Sequence, residues 1–156
     1  MKHDCSPNLG AFLDMIAESE IGNALLMRSA NGYNVLVGST ATHPLLFTSY
    51  ATHPNILNRA TNSTAAGRYQ LLHRYYEAYS RQLDLLDFTP ESQDTIAIQQ
   101  IRECHAIPLI EAGKIAEAIA ACAHIWASLP GAGYGQHENK LAELETAYRN
   151  AGGKLA

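Results

Sequence analysis

This sequence has no long apolar run. Nothing in it approaches the roughly 20 apolar residues that a membrane-spanning helix needs. Its first residues, Met1-Lys-His-Asp-Cys-Ser-Pro7, lack the apolar core of a secretory leader, so synthesis as a soluble cytoplasmic protein is expected. Cysteine is scarce: Cys5, Cys104 and Cys122 are odd in number and contain no close pair. That suits a reducing compartment better than a disulfide framework. Cys104 and Cys122 fall in helical patterns and read as small apolar packing residues, which leaves Cys5 as the expected exposed thiol. Charged residues make up only 17% of the chain and the net charge is −4, so a nucleic-acid partner is not favoured. Seven histidines invite a metal, but no HExxH, paired CxxC or HxH spacing exists, and His43 and His53 both precede proline in loops. No metal or other cofactor is expected. GxSxG is missing too, which removes the usual setting of a serine nucleophile. Gly131-Ala-Gly-Tyr-Gly135 lacks the Lys-Ser/Thr and the preceding strand of a phosphate loop. Its glycines instead mark a backbone that approaches something closely while presenting Tyr134.

With 156 residues, 47% of them hydrophobic, the chain can bury a core without disulfides, and one domain over 1–156 is expected. Ser6-Pro7 gives an N-cap and a first helical residue, opening a helix to about Glu20. Residues 21–32 read as loop. Tyr33–Val37, closed by Gly38, and Leu45–Tyr50 read as two strands of a small antiparallel hairpin. Residues 55–67 are polar loop. Arg68 to about Leu83 is helical, with Tyr69, Leu72, Tyr76, Tyr79 and Leu83 on one face. Thr89-Pro90 opens a further helix to about Cys104, Ala106–Ala112 is a short helix stopped by Gly113, Lys114–Ser128 another, and His137 to about Ala151 the last. A helix, a small hairpin and a run of helices make an α+β fold in which helix dominates.

The first helix carries the most pointed feature. Leu9, Leu13, Ile16 and Glu20 share one face, and Asp14 and Glu18 point away from it. Glu20 is thus an acid at the C-terminal end of a stripe that packs inward. Burial and the helix dipole both push its pKa up, which suits a general acid. The competing reading is a solvated glutamate at a frayed helix end. Gly67-Arg-Tyr-Gln70 places Tyr69 and Gln70 where a polar loop becomes a helix. Tyrosine faces and side-chain amides suit a neutral sugar rich in hydroxyl and acetamide groups. The alternative puts Tyr69 in the core stripe and Gln70 on the surface.

Five segments in matching order then point to a family. They are Ala11-Phe-Leu-Asp-Met15 leading to Ser19-Glu20; Gly32-Tyr33 through Val37-Gly38; Ala66-Gly-Arg-Tyr-Gln-Leu71; Ser92-Gln-Asp94 with Gln99-Gln-Ile101; and Ile125-Trp-Ala-Ser-Leu-Pro-Gly-Ala-Gly-Tyr-Gly-Gln136. Together, over about residues 9–153, the chain resembles the lambda-type phage endolysins, lytic transglycosylases of the lysozyme-like superfamily. The resemblance implies a lysozyme-like fold, with a mainly helical lobe and a small antiparallel β-hairpin lobe flanking a cleft. It implies cleavage of the β-1,4 bond between N-acetylmuramic acid and N-acetylglucosamine in peptidoglycan, leaving a 1,6-anhydro sugar. It makes Glu20 the catalytic acid and places Tyr69, Gln70 and Tyr134 along the cleft. The family pattern has an acidic residue after the tyrosine of the first strand, where this chain has Asn34, a residue still able to hydrogen-bond sugar. Ile21-Gly22 likewise replaces a Gly-Thr pair beside Glu20. The expected partner is the peptidoglycan glycan strand, met by a monomer without stable membrane association. The protein would stay in the host cytoplasm until a separate holin-type protein opens the membrane, then act in the periplasm and wall. The competing functions are a hydrolytic muramidase on the same bond, a non-catalytic peptidoglycan-binding protein and a zinc amidase.

Overall fold

The computed structural model describes residues 3–133 and 137–156, and its described residues form seven α-helices. The chain divides into two compact units, Met1–Glu20 with Ile98–Ala156, and Ile21–Ala97.

In the first unit, α1 (Pro7–Ile21) starts as the sequence leads one to expect. The Leu9 amide donates to Ser6 Oγ at 3.2 Å, and the Gly10 amide to the Ser6 carbonyl at 2.9 Å. The helix is more enclosed than a one-sided stripe: Leu9 through Leu13 and Met15 through Ala17 are all buried. A helix apolar on most sides is a core helix, which a one-sided reading of its spacing does not capture. Asp14, expected in water, is half-buried and bonded to the His3 ring at 2.8 Å. Asn8 ties the helix start to the rest of the unit, donating to the Ile110 carbonyl at 3.1 Å and accepting from the Lys154 amide at 3.0 Å. The remaining helices of this unit are α5 (Ile107–Glu111), α6 (Ile115–Cys122) and α7 (Leu141–Asn150). α6 stops six residues before Ser128, where the Ile125 amide turns back three residues onto the Cys122 carbonyl at 2.9 Å. α7 begins at Leu141 rather than His137: the Asn139 amide is taken by the Ser128 carbonyl at 2.8 Å, and the Lys140 amide by the Glu143 carboxylate at 3.4 Å.

In the second unit the stretch expected to be loop contains a short helix, α2 (Asn23–Met27). The helix expected from Arg68 begins only at His73, as α3 (His73–Gln82). Residues 66–71 instead close a tight loop, in which Ala66 and Leu71 exchange both backbone hydrogen bonds, at 3.1 and 2.9 Å. Helix α4 (Pro90–Glu103) opens as expected, with the Ser92 amide on Thr89 Oγ1 at 3.3 Å.

The β-hairpin lobe is not there: among the described residues only isolated bridges occur, Val35 with Leu46, Leu36 with Ala66, Asn58 with Ser63, and Ala66 with Leu71. The pairing partners are partly those expected, since the Leu36 amide meets the Leu45 carbonyl and the Phe47 amide the Asn34 carbonyl, both at 2.9 Å. The ladder does not extend because its ends are diverted. The Val35 amide turns back to the Gly32 carbonyl, and the Leu45 amide goes to Ser39 Oγ. Gly38, with φ +85°, turns the chain immediately beyond. Phe47, Ala66, Leu71, Tyr76, Phe88 and Ile96 form this unit's core cluster.

Candidate functional site

Glu20 is the penultimate residue of α1, where the last carbonyls of a helix lack intrahelical donors. Here the Asn139 side-chain amide serves one of them, donating to the Ser19 carbonyl at 3.1 Å, and it also donates to Ser19 Oγ at 3.0 Å and to the Ser128 carbonyl at 3.4 Å. Ser19 and Ser128 hydroxyls are 2.7 Å apart. The helix end is thereby fastened to the turn after α6 by neutral groups alone. Glu20 itself is half-buried, with enough protein around its carboxyl that desolvation is the largest effect on it. Burial pushes it up to about 7, and a hydrogen bond with the Ser128 side chain opposes the rise. A carboxyl in that range can donate a proton near neutral pH and take one back afterwards.

The second unit holds a different kind of polar centre. Asp94 Oδ1 accepts from the Tyr33 hydroxyl at 2.9 Å and the Tyr69 hydroxyl at 2.6 Å. The buried Arg68 guanidinium donates to Tyr69 Oη and to the Asn31 carbonyl, both at 3.0 Å, and lies over both tyrosine rings. Gln93 knits the surrounding backbone, accepting from the Arg68 amide at 2.9 Å and donating to the Tyr33 and Phe88 carbonyls at 3.0 Å. Burial first, and then the Asp94 charge, push the Tyr33 phenol far up; burial does the same to Tyr69, against the opposing Arg68 charge. Both phenols therefore stay protonated donors, and the network braces the fold.

Three of the expected sugar-contacting residues lie in this second unit. Tyr69 is buried in the network, which matches the core alternative left open by the sequence. Gln70 is half-buried with φ +50°, and its amide donates to the Gly67 carbonyl at 2.8 Å and the Val35 carbonyl at 3.3 Å. Asn34 is half-buried and accepts from the Ala30 amide at 2.9 Å. Tyr134 lies outside the described residues. Beside it in sequence, the Gly131 and Gly133 amides both donate to the Glu138 carboxylate, which they hold below the usual range. Sequence reasoning missed Ser128, Asn139, Asp94 and Gln93 as supports. Ser128 and Asn139 stand 109 and 120 positions from Ser19, so no spacing rule reaches them. Among the described residues no group of three His, Cys, Asp or Glu side chains could hold a metal ion.

Comparison with known proteins gives a consistent result. A family model described as Endolysin matches residues 10–155. The endolysin of Escherichia phage lambda is 50% identical over 149 residues, covering 93% of this chain and 91% of that one. The endolysin of Escherichia phage P2 is 47% identical over 154 residues, covering 94% and 93%. A solved structure of bacteriophage lambda lysozyme complexed with a chitohexasaccharide matches with a TM-score of 0.87 at 46% identity, over 99% of this chain and 100% of that one.

Proposed function

This chain belongs to the endolysin family, the phage enzymes that degrade bacterial cell walls, and from that premise we propose that it is a peptidoglycan lytic transglycosylase with Glu20 as its single acid and base. The observation that carries this reading is the Glu20 carboxyl, raised to about 7 at the fastened end of α1. Protonated Glu20 gives its proton to the oxygen linking N-acetylmuramic acid to N-acetylglucosamine, and that C–O bond breaks. The resulting carboxylate then takes the proton from the muramic acid 6-hydroxyl as that oxygen bonds to C1, which closes the 1,6-anhydro ring. The substrate's N-acetyl group helps to stabilise the cationic centre in between. A hydrolase of the common kind uses two carboxyl groups, one of them to activate or replace water. A tethered 6-hydroxyl needs no such partner, because its effective concentration is already high.

In this reading Asn34, Gln70 and Tyr134 contact the glycan. Tyr69 serves from beneath, fixing the loop that carries Gln70 through its bond to Asp94. The chitohexasaccharide bound to the lambda lysozyme supports an N-acetylated aminosugar chain as the ligand class. The protein acts as a monomer in the periplasm and wall, after a separate holin-type protein has opened the membrane. Among the described residues, no helix is long and apolar enough to cross a membrane. Mass spectrometry of digested peptidoglycan tests the reaction: 1,6-anhydro ends are expected, and reducing ends would overturn the transglycosylase in favour of a muramidase.

A further inference from the structure

A cleft of about 300 Å³ opens on the second unit, and the reaction assigned to Glu20 makes no use of it. Residues from three segments line it: 55–57, 62–64 and 72–74. Fixed contacts hold these segments together. The Asn55 backbone amide donates to His53 Nδ1 at 3.0 Å, the His53 ring lies 5.3 Å from the His73 ring, and the His73 amide donates to Thr64 Oγ1 at 3.1 Å. The cleft is therefore formed before any ligand arrives. Its polar side chains are not consumed by the fold. Among the described residues, the side-chain amides of Asn55 and Asn62 make no hydrogen bond, and Arg74 has no carboxylate partner, its guanidinium carbon lying 5.0 Å from the Tyr75 ring centroid. No Asp or Glu lines the cleft, although the chain as a whole carries a net charge of −4. From this arrangement we propose that the cleft binds the carboxylate-bearing stem peptide of peptidoglycan, with Arg74 pairing a carboxylate and Asn55 and Asn62 bonding peptide groups. The inference rests on peptidoglycan being the substrate.

Charge selects the peptide over the sugars. The muramic acid lactyl group is amide-linked to the stem peptide, so the glycan strand is neutral and the free carboxylates belong to the peptide. A guanidinium beside unused side-chain amides matches a carboxylate and the peptide groups next to it, because each amide can both donate and accept. Leu57 and Leu72 add apolar wall for small side chains. The volume lies at the small end of ligand pockets, so the cleft takes part of a stem peptide rather than all of it. Position selects the same ligand. Leu72 is two residues from Gln70, so the lining begins within about 7 Å of the backbone of a residue assigned to the glycan. A peptide hanging from a sugar held at Gln70 has its first residues within reach of the cleft.

The test uses the full-length protein and stem peptide released from peptidoglycan by an amidase. In an NMR titration the peptide should shift the amide resonances of Asn55, Asn62, Thr64 and Arg74, and the same peptide with its carboxyls amidated should not. Arg74→Gln should weaken binding of the free peptide by roughly 5–20-fold, the worth of one hydrogen-bonded charge at an exposed site. It should raise KM on peptide-bearing glycan strands by a similar factor, while on strands stripped of peptide the KM values of parent and variant should coincide. The proposal is overturned if the shifts fall elsewhere, if the amidated peptide binds as well as the acid, or if Arg74→Gln changes neither peptide binding nor KM. A parent that cuts neither kind of strand would remove the reaction assigned to Glu20, and the peptide titration would still decide the cleft.

Discussion

Glu20 shows what a local environment does to one side chain. Its carboxyl is raised from an ordinary 4.5 to about 7 by burial. A group whose neutral form is favoured in the fold binds a proton that the unfolded chain has already released. Stability is therefore lost as pH rises from about 4.5 to about 7, by on the order of 1–3 kcal/mol. Glu20→Gln keeps the shape and removes the charge. It should lower wall-degrading activity by roughly 10²–10⁴-fold, the usual worth of a general acid, while stabilising the protein at pH 7 by about 1–3 kcal/mol. Turbidity of a wall suspension and urea unfolding of the same preparation check both signs. In the parent, activity should fall as pH climbs past 7 and the acid form is depleted, measured at constant ionic strength. The raised carboxyl was legible in the sequence, because an acid on an inward helix face at a dipole's negative end has two reasons to hold its proton. Its supports Ser128 and Asn139 were not, since only tertiary folding brings them to Ser19. Tyr69 was legible as a fork between sugar contact and core packing, and the structure buries it with a bond to Asp94.

Among the elements, the 66–71 loop departs most from what periodicity indicates. The apolar spacing of Tyr69, Leu72 and Tyr76 fits a helix, but the exchanged bonds of Ala66 and Leu71 use backbone groups that a helix would need. Gly67 makes the loop possible: its φ is +83°, and a Cβ there would lie 2.4 Å from Gln93 Oε1 and 3.0 Å from Phe88. Gly67→Ala should therefore destabilise the protein by about 2–3 kcal/mol, through both strain and collision. Asp94→Asn should cost about 1–3 kcal/mol, because the Tyr33 and Tyr69 hydroxyls lose a charged acceptor. Urea unfolding of both variants is the check. An unchanged Gly67→Ala protein would mean that the loop relaxes freely. The hairpin was misread for a related reason. The runs 33–37 and 45–50 meet only at the isolated Val35–Leu46 bridge; a strand needs a ladder, and the side-chain and turn acceptors that truncate it leave no periodic trace.

For the molecule as a whole, two titratable groups shifted by desolvation act in opposition. His53 in the second unit is held neutral: its Nε2 faces the Leu71 carbonyl at 2.7 Å, its Nδ1 accepts from the Asn55 amide at 3.0 Å, and it packs against His73, Tyr76 and Phe88. Burial pushes it down to about 4, against the raising effect of the Leu71 bond. Its contribution is complete above the ordinary histidine value of 6.5 and is lost as pH falls towards 4, by about 3 kcal/mol at most. Glu20 has the reverse slope over nearly the same window. The parent should thus show a nearly flat stability profile from pH 4.5 to 6.5, and Glu20→Gln should show one that rises with pH. A flat profile in that variant would remove His53 from the account. In the proposed reaction a hydroxyl of the same sugar closes on the broken bond, with Glu20 moving the proton both ways. Digestion of peptidoglycan in water enriched in heavy oxygen tests it most directly. Anhydro ends that carry no label are expected; label at C1 of the new muramic acid ends would show that water closes on the bond instead of the 6-hydroxyl.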